Sequence, residues 1–181
     1  FDDKDDEDDA KVDQMVRIIQ YLKTLPVKTV SIDKVEADDI IAYLSKSVIN
    51  HPKDKSFIIS SDKDFLQLVS ENVIVYRPME KEYYTPKTVI DKYKISPHNF
   101  ILHKTLLGDN SDKIKGVKGL GEKGLLKKFP ELIKKDMNWN DILDICENKI
   151  SDHAVYARII HGQSDLEKNY KIMDLSNPML S

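Results

Sequence analysis

The chain has 181 residues, with 28 Lys and Arg against 31 Asp and Glu and 40% hydrophobic residues, proportions that fit one globular domain or one with a small appendage. They exclude a collagen-like fibre and a disulfide scaffold, and no apolar run approaches the roughly 20 residues that span a bilayer. The formal net charge of -3 averages segments of opposite character: residues 2–9 hold seven acids and one Lys, whereas eight lysines between Lys113 and Lys135 face only Glu122 and Glu131.

In chain order, the acidic start reads as a disordered, solvated end, because like charges repel and bury nothing. It is also unlike a signal peptide, which is basic and then apolar, so a cytoplasmic protein is expected. Val12, Met15, Val16, Ile19 and Leu22 then recur at helical spacing, and Pro26 ends that helix. Residues 28–32 (KTVSI) read as a strand. A second helix over about 35–48 follows, with Ile40, Ile41, Tyr43 and Leu44 on its inner side. Residues 56–60 (SFIIS) form a strand, 64–69 a helix and 72–76 (NVIVY) another buried strand. This alternation implies a parallel sheet. From Thr85, an N-cap followed by Pro86, the rest reads as helices over 86–93, 97–107, 122–129, 139–148, 152–161 and 165–174. The expected organisation is a flexible end (1–10), an α/β core (11–85) and a helical part (86–181). Cys146 stands alone, which excludes an intramolecular disulfide and reads as a small buried hydrophobe.

Three acidic clusters carry the chemistry. Asp33, Glu36, Asp38 and Asp39 follow the first expected strand, Asp62 and Asp64 follow the second, and Asp109 and Asp112 follow a helix. The carboxyl ends of parallel strands line one edge, so the first two clusters should converge there. Taken singly, each acid has a plainer role: Asp62 can cap the helix from Asp64 onward, and Asp38 and Asp39 suit a helix's first turn. Seven carboxylates directed to one edge cannot all be caps. Crowded anions require cations, and hard divalent ions with oxygen ligands, Mg²⁺ or Mn²⁺, are the natural choice. Zinc fits poorly, since none of the five histidines adjoins a cluster. An EF-hand fails for want of Gly at the sixth loop position and Glu at the twelfth. Two ions on such a bed suit in-line phosphoryl chemistry.

Gly116 to Phe129 (GVKGLGEKGLLKKF) contains a formal dinucleotide fingerprint, but no buried strand precedes it, and a P-loop fails because Glu122 stands where Lys is required. A glycine hairpin between two helices fits better. Its glycines permit close backbone approach, and a helix start with Lys123 nearby suits a phosphate. The plainer alternative is a helix corner with exposed lysines. Dense glycine and lysine beside an acidic cluster favour phosphate contact.

VEADDIIAYL, SSDKDFLQL, LLGDNSDKIKGVKGLGEKG and KNYKIMDLS resemble, in order, segments of the 5′ nuclease family, which includes flap endonucleases, phage 5′-exonucleases and the 5′-nuclease domain of bacterial DNA polymerase I. The resemblance implies a PIN-like parallel-sheet α/β core followed by a helical part with a helix-hairpin module at 106–130. It implies that Glu36, Asp38 and Asp39 serve chiefly one metal and Asp62, Asp64, Asp109 and Asp112 a second, with Asp38, Asp39, Asp62 and Asp64 central to catalysis. Lys115, Gly116, Lys118, Gly119, Gly121, Lys123, Lys127 and Lys128 would contact duplex DNA, and main-chain carbonyls among 114–121 would hold K⁺. The expected substrate is DNA, or an RNA–DNA hybrid, with a 5′ end or flap, acted on by a monomer. The family also has a first strand with another metal-binding Asp and a basic arch, which these residues lack. Turnover below that of a longer relative is therefore expected. A binding module that does not cut is the rival reading. Asp33 has no family role, and Gly124 stands where Thr, Ala or Arg is common.

Overall fold

The computed structural model describes residues 2–109 and 113–177 and divides into two compact units, 1–34 and 35–181. In the first, α1 runs over Asp2–Leu22. The acidic run, expected to be a disordered end, lies within this helix. Residues 28–32 are not a strand, and Val30 and Ile32 are exposed. Among the described residues no ladder partner satisfies them, and an apolar run without one does not make a strand.

In the second unit, β1 (Ser56–Ile59) pairs in parallel with β2 (Val73–Arg77), and β3 (Glu82–Tyr84) pairs with β2 antiparallel. The sheet is therefore mixed rather than wholly parallel. A tight turn decides this: the Glu80 and Lys81 N–H groups donate to the Arg77 and Pro78 carbonyls at 3.2 Å each, and only an antiparallel strand can follow so short a reversal. Along β2 the inward side chains are Val73, Val75 and Arg77. Helix α2 (Ala37–Ser47) buries Ala42 and Ser45. Tyr43 and Leu44, expected inside, are exposed.

The helical part follows the capping signals closely. Helix α3 (Pro86–Tyr93) starts where the Thr85 hydroxyl accepts from the Thr88 N–H, with Pro86 at its first position. A 3₁₀ turn over Pro97–Asn99 leads into α4 (Phe100–Leu107). A two-stranded ribbon, β4 (Gly108–Asp109) and β5 (Ile114–Lys115), precedes α5 (Glu122–Lys128), α6 (Glu131–Lys134), α7 (Trp139–Asn148), α8 (Ala154–His161) and α9 (Gln163–Met173). Asn138 and Asp141 form a reciprocal capping box at α7. One core runs through this unit, including Phe65, Val75, Tyr84, Phe100, Leu106, Leu125, Phe129, Ile142 and Ile159. Each such side chain stabilises the fold by about 1.5–3 kcal/mol through the water it sheds.

The ribbon depends on two glycines in mutual contact. A Cβ on Gly116 would sit 2.1 Å from the Leu107 carbonyl carbon, and one on Gly108, whose φ is +82°, would sit 2.3 Å from the Gly116 nitrogen. Gly116→Ala should therefore destabilise the protein by about 3 kcal/mol. Faster hydrogen exchange at the Val117 N–H, which donates to Leu106 at 2.8 Å, will report loss of the ribbon.

Candidate active site

Two segments deliver acids to one place. After β1, the Ser60 hydroxyl accepts from the Asp62 N–H at 3.1 Å, and Asp62 Oδ1 accepts from the Asp64 N–H at 2.9 Å. Asp62 thus closes an Asx turn at the entry to the 3₁₀ turn Asp64–Leu68 while lining a recess. At the start of α2, Glu36 is the N-cap residue without a capping bond, and Asp38 and Asp39 occupy the first turn. Glu36, Asp38, Asp39, Asp62 and Asp64 line a single cavity of about 440 Å³. The buried Gln67 amide holds its far wall, donating to the Met173 carbonyl and accepting from the Leu175 N–H, each at 3.0 Å.

A second recess of about 600 Å³ shares Asp62 and Asp64 and adds Asp109, Lys63, Arg77 and Lys104. Lys104, only 5% exposed, projects from α4 and ion-pairs with Asp64 and, at 2.9 Å, with Asp109. Burial raises the Asp64 carboxyl to about 6; the hydrogen bond and charge of Lys104 oppose this, and Asp62 adds to it. Burial alone would lower the Lys104 pKa, but Asp64 and Asp109 together outweigh it and raise it. Arg77 fastens the loop: it pairs with Glu80, and its Nη2 donates to the Ser61 carbonyl at 2.7 Å.

Among the described residues no three His, Cys, Asp or Glu side chains converge as a ready metal site. Asp112, expected as a ligand, lies outside the described residues, and Asp33 is exposed in the first unit. The donor chemistry nonetheless suits hard cations. Every candidate donor is a carboxylate, the ligand type of hard divalent ions, although Lys104 already pairs with Asp64 and Asp109. His103 stacks on Phe100 with centroids 5.5 Å apart, and burial lowers its pKa, as for an aromatic core residue.

The hairpin lysines do not share one surface. Val117 and Leu120 are buried and root the hairpin, leaving Lys115 and Lys118 exposed. Lys115, Gly116 and Lys118 line a groove of about 690 Å³. Gly119 and Gly121 lie on the turn into α5, Lys123 lines a separate recess with Lys92 and Lys94, and Lys127 is exposed. Lys128 lies over the Tyr156 ring, 5.7 Å from its centroid. Gly124 is accommodated within α5, its nearest neighbour being the Leu120 side chain.

Sequence reasoning missed Lys104 and Arg77. The available signal for Lys104 was a lone cation in an otherwise apolar helix segment (FILHKTLL) just before Asp109. Arg77 has a local partner in Glu80, three residues on, but nothing local marks its bond to the Ser61 carbonyl.

A mixed α/β sheet, with acids gathered after its first strand and at the start of the helix before it, beside a glycine hairpin between helices, defines the 5′ nuclease class of fold. Residues 4–94 match the model of the 5′-3′ exonuclease N-terminal resolvase-like domain, and the chain belongs to that family. It is 34% identical to a 5′-3′ exonuclease of Aquifex aeolicus over 165 residues, covering 90% of this chain and 53% of that one. It is 32% identical to the thermostable DNA polymerase I of Thermus thermophilus over 161 residues, covering 88% and 18% respectively. The chain spans about half the length of the exonucleases it matches. A bacteriophage T5 flap endonuclease, solved as a pseudo-enzyme-product complex with DNA and metal ions, shares the fold with a TM-score of 0.79 at 23% identity, over 97% of this chain and 62% of that one. A bacteriophage T5 5′-exonuclease variant gives 0.71 at 25% identity, over 88% and 65%. Among the described residues no helix is long and apolar enough to cross a membrane.

Proposed function

We propose that this chain is the core of a structure-specific 5′ nuclease that hydrolyses DNA, or an RNA–DNA hybrid, near a 5′ end or flap by a two-metal-ion mechanism. The observation that carries the reading is the gathering of Glu36, Asp38, Asp39, Asp62 and Asp64 on one cavity that adjoins a lysine-lined groove. The names of its relatives, exonuclease and flap endonuclease, support it.

Glu36, Asp38 and Asp39 would hold one ion, and Asp62, Asp64, Asp109 and Asp112 a second, with Mg²⁺ preferred and Mn²⁺ able to substitute. When bound, such ions acidify an attacking water and stabilise the leaving oxygen. The chain's own groups prepare the site. Lys104 pairs with Asp64 and Asp109, and burial raises the Asp64 carboxyl to about 6, so ion binding strengthens as pH rises past that value and the proton leaves. Lys115, Lys118, Lys123, Lys127 and Lys128 are the candidates for duplex backbone contact, which positions DNA without reading its sequence. Main-chain carbonyls among residues 114–121 would hold K⁺. A monomer acting in the cytoplasm belongs to the same proposal.

Binding without hydrolysis is the second reading, favoured by the ion pairs that already occupy Asp64 and Asp109. Incubation with a labelled 5′-flap duplex, with Mg²⁺ or with chelator, separates the two. Product that disappears on chelation supports the nuclease; tight binding with no product supports the module. Charge reversal at Lys123 and Lys127 should weaken binding and flatten its salt dependence. Unchanged affinity and slope would show that the hairpin does not grip the duplex.

A further inference from the structure

We propose that α8 and α9 form a second wall of the phosphodiester-binding groove, with Arg158 setting the hairpin and Asn169 carrying the backbone on toward the carboxylates. The inference rests on the nuclease reading and adds two residues that lie outside the acidic clusters and the glycine hairpin.

The hairpin is shaped around Arg158. Its Nη1 donates to the Lys118 carbonyl at 2.8 Å across 40 residues of sequence. A Cβ on Gly119 would lie 3.1 Å from that same nitrogen, and Gly119 has φ +81°. The side chain that fixes the hairpin also lines the groove, together with Lys113, Lys115 and Lys118 from one wall and Asp165 and Asn169 from the other. Four cations against one carboxylate suit a polyanion. A guanidinium has five N–H donors, and one bond to a carbonyl leaves others for a phosphate.

Asn169 joins the two parts of the site. It and Ile114 line both the basic groove and the acidic cavity, so a strand seated on the hairpin reaches the carboxylates across this residue. A neutral amide suits that junction. It can donate to a phosphate oxygen, whereas a lysine there would be captured by the neighbouring acids as Lys104 is by Asp64 and Asp109.

The test is fluorescence anisotropy of a labelled DNA duplex with a short 5′ single strand, in EDTA so that nothing is cut, over a series of KCl concentrations. Thermal unfolding of each variant is recorded alongside. Arg158→Ala should weaken binding roughly tenfold and reduce the salt slope by about one, while Arg158→Lys keeps the slope and most of the affinity. Asn169→Asp should weaken binding by a similar factor with unchanged Tm, through repulsion of the backbone. If Arg158→Ala does not fold, Arg158→Lys and Asn169→Asp decide the matter. Wild-type protein that binds the duplex while Asn169→Asp and the Arg158 variants bind equally well overturns this inference alone. Wild-type protein with no salt-dependent binding removes the nuclease reading and this inference with it.

Discussion

Lys104→Met should destabilise the metal-free protein by about 3 kcal/mol, because it leaves two partly buried acids, Asp64 and Asp109, without their shared buried cation. For a chain of this size that lowers Tm by roughly 6–12 °C. The loss will depend on pH in a definite sense. Asp64 already titrates at about 6 in the folded protein against an ordinary 3.8, and removing the ammonium raises it further. A raised folded pKa contributes stability that is present at low pH and lost as pH rises through the folded value. The variant should therefore approach wild type near pH 4 and fall away steadily above pH 6. Mg²⁺ or Mn²⁺ should restore part of the difference at pH 8, since a bound cation replaces the missing charge. Differential scanning calorimetry with and without chelator measures all three effects. A loss of Tm independent of pH and metal would mean that Lys104 matters only for packing.

Asp62 allows its two roles to be separated. Its Oδ1 accepts from the Asp64 N–H, and its side chain lines both acidic recesses. Asp62→Asn keeps the oxygen that accepts from the Asp64 N–H and removes the charge, so Tm should stay within a few degrees while divalent-ion affinity drops by about 10–100-fold. Hydrolysis of a 5′-flap duplex should fall by about 10²–10³-fold or more. Asp62→Ala removes both functions and should lose about a further 1 kcal/mol of stability. Isothermal titration with Mn²⁺, paired with unfolding curves, distinguishes them. Equal ion affinity in wild type and Asp62→Asn would leave this residue only its turn-bracing role.

Elements governed by neighbours in sequence were legible. Thr85 and Pro86 announce α3 and the apolar run in NVIVY announces β2, whereas 64–69, expected as a helix, is a 3₁₀ turn over Asp64–Leu68. The failures share a cause. KTVSI has the composition of a strand, but a strand exists only where another offers its hydrogen bonds. Glu82–Tyr84 is too short for any periodicity, yet β2 and a tight turn make it a strand. In α2, helical spacing alone could not tell whether Tyr43 and Leu44 or Ala42 and Ser45 face inward.

The sequence by itself determined which acids exist and that Asp62 and Asp64 stand after one strand, Glu36, Asp38 and Asp39 at the start of a helix, and a basic glycine hairpin after Asp109. Those are local facts, written in caps, charges and turn residues within a few positions of one another. Only the tertiary structure decided how the charges are met. Lys104 reaches Asp64 across 40 residues, Arg77 reaches Ser61 across 16, and Arg158 reaches Lys118 across 40. Coulombic demand acts through space, and burial magnifies it, so the cation that answers a partly buried carboxylate is chosen by packing rather than by its place along the chain.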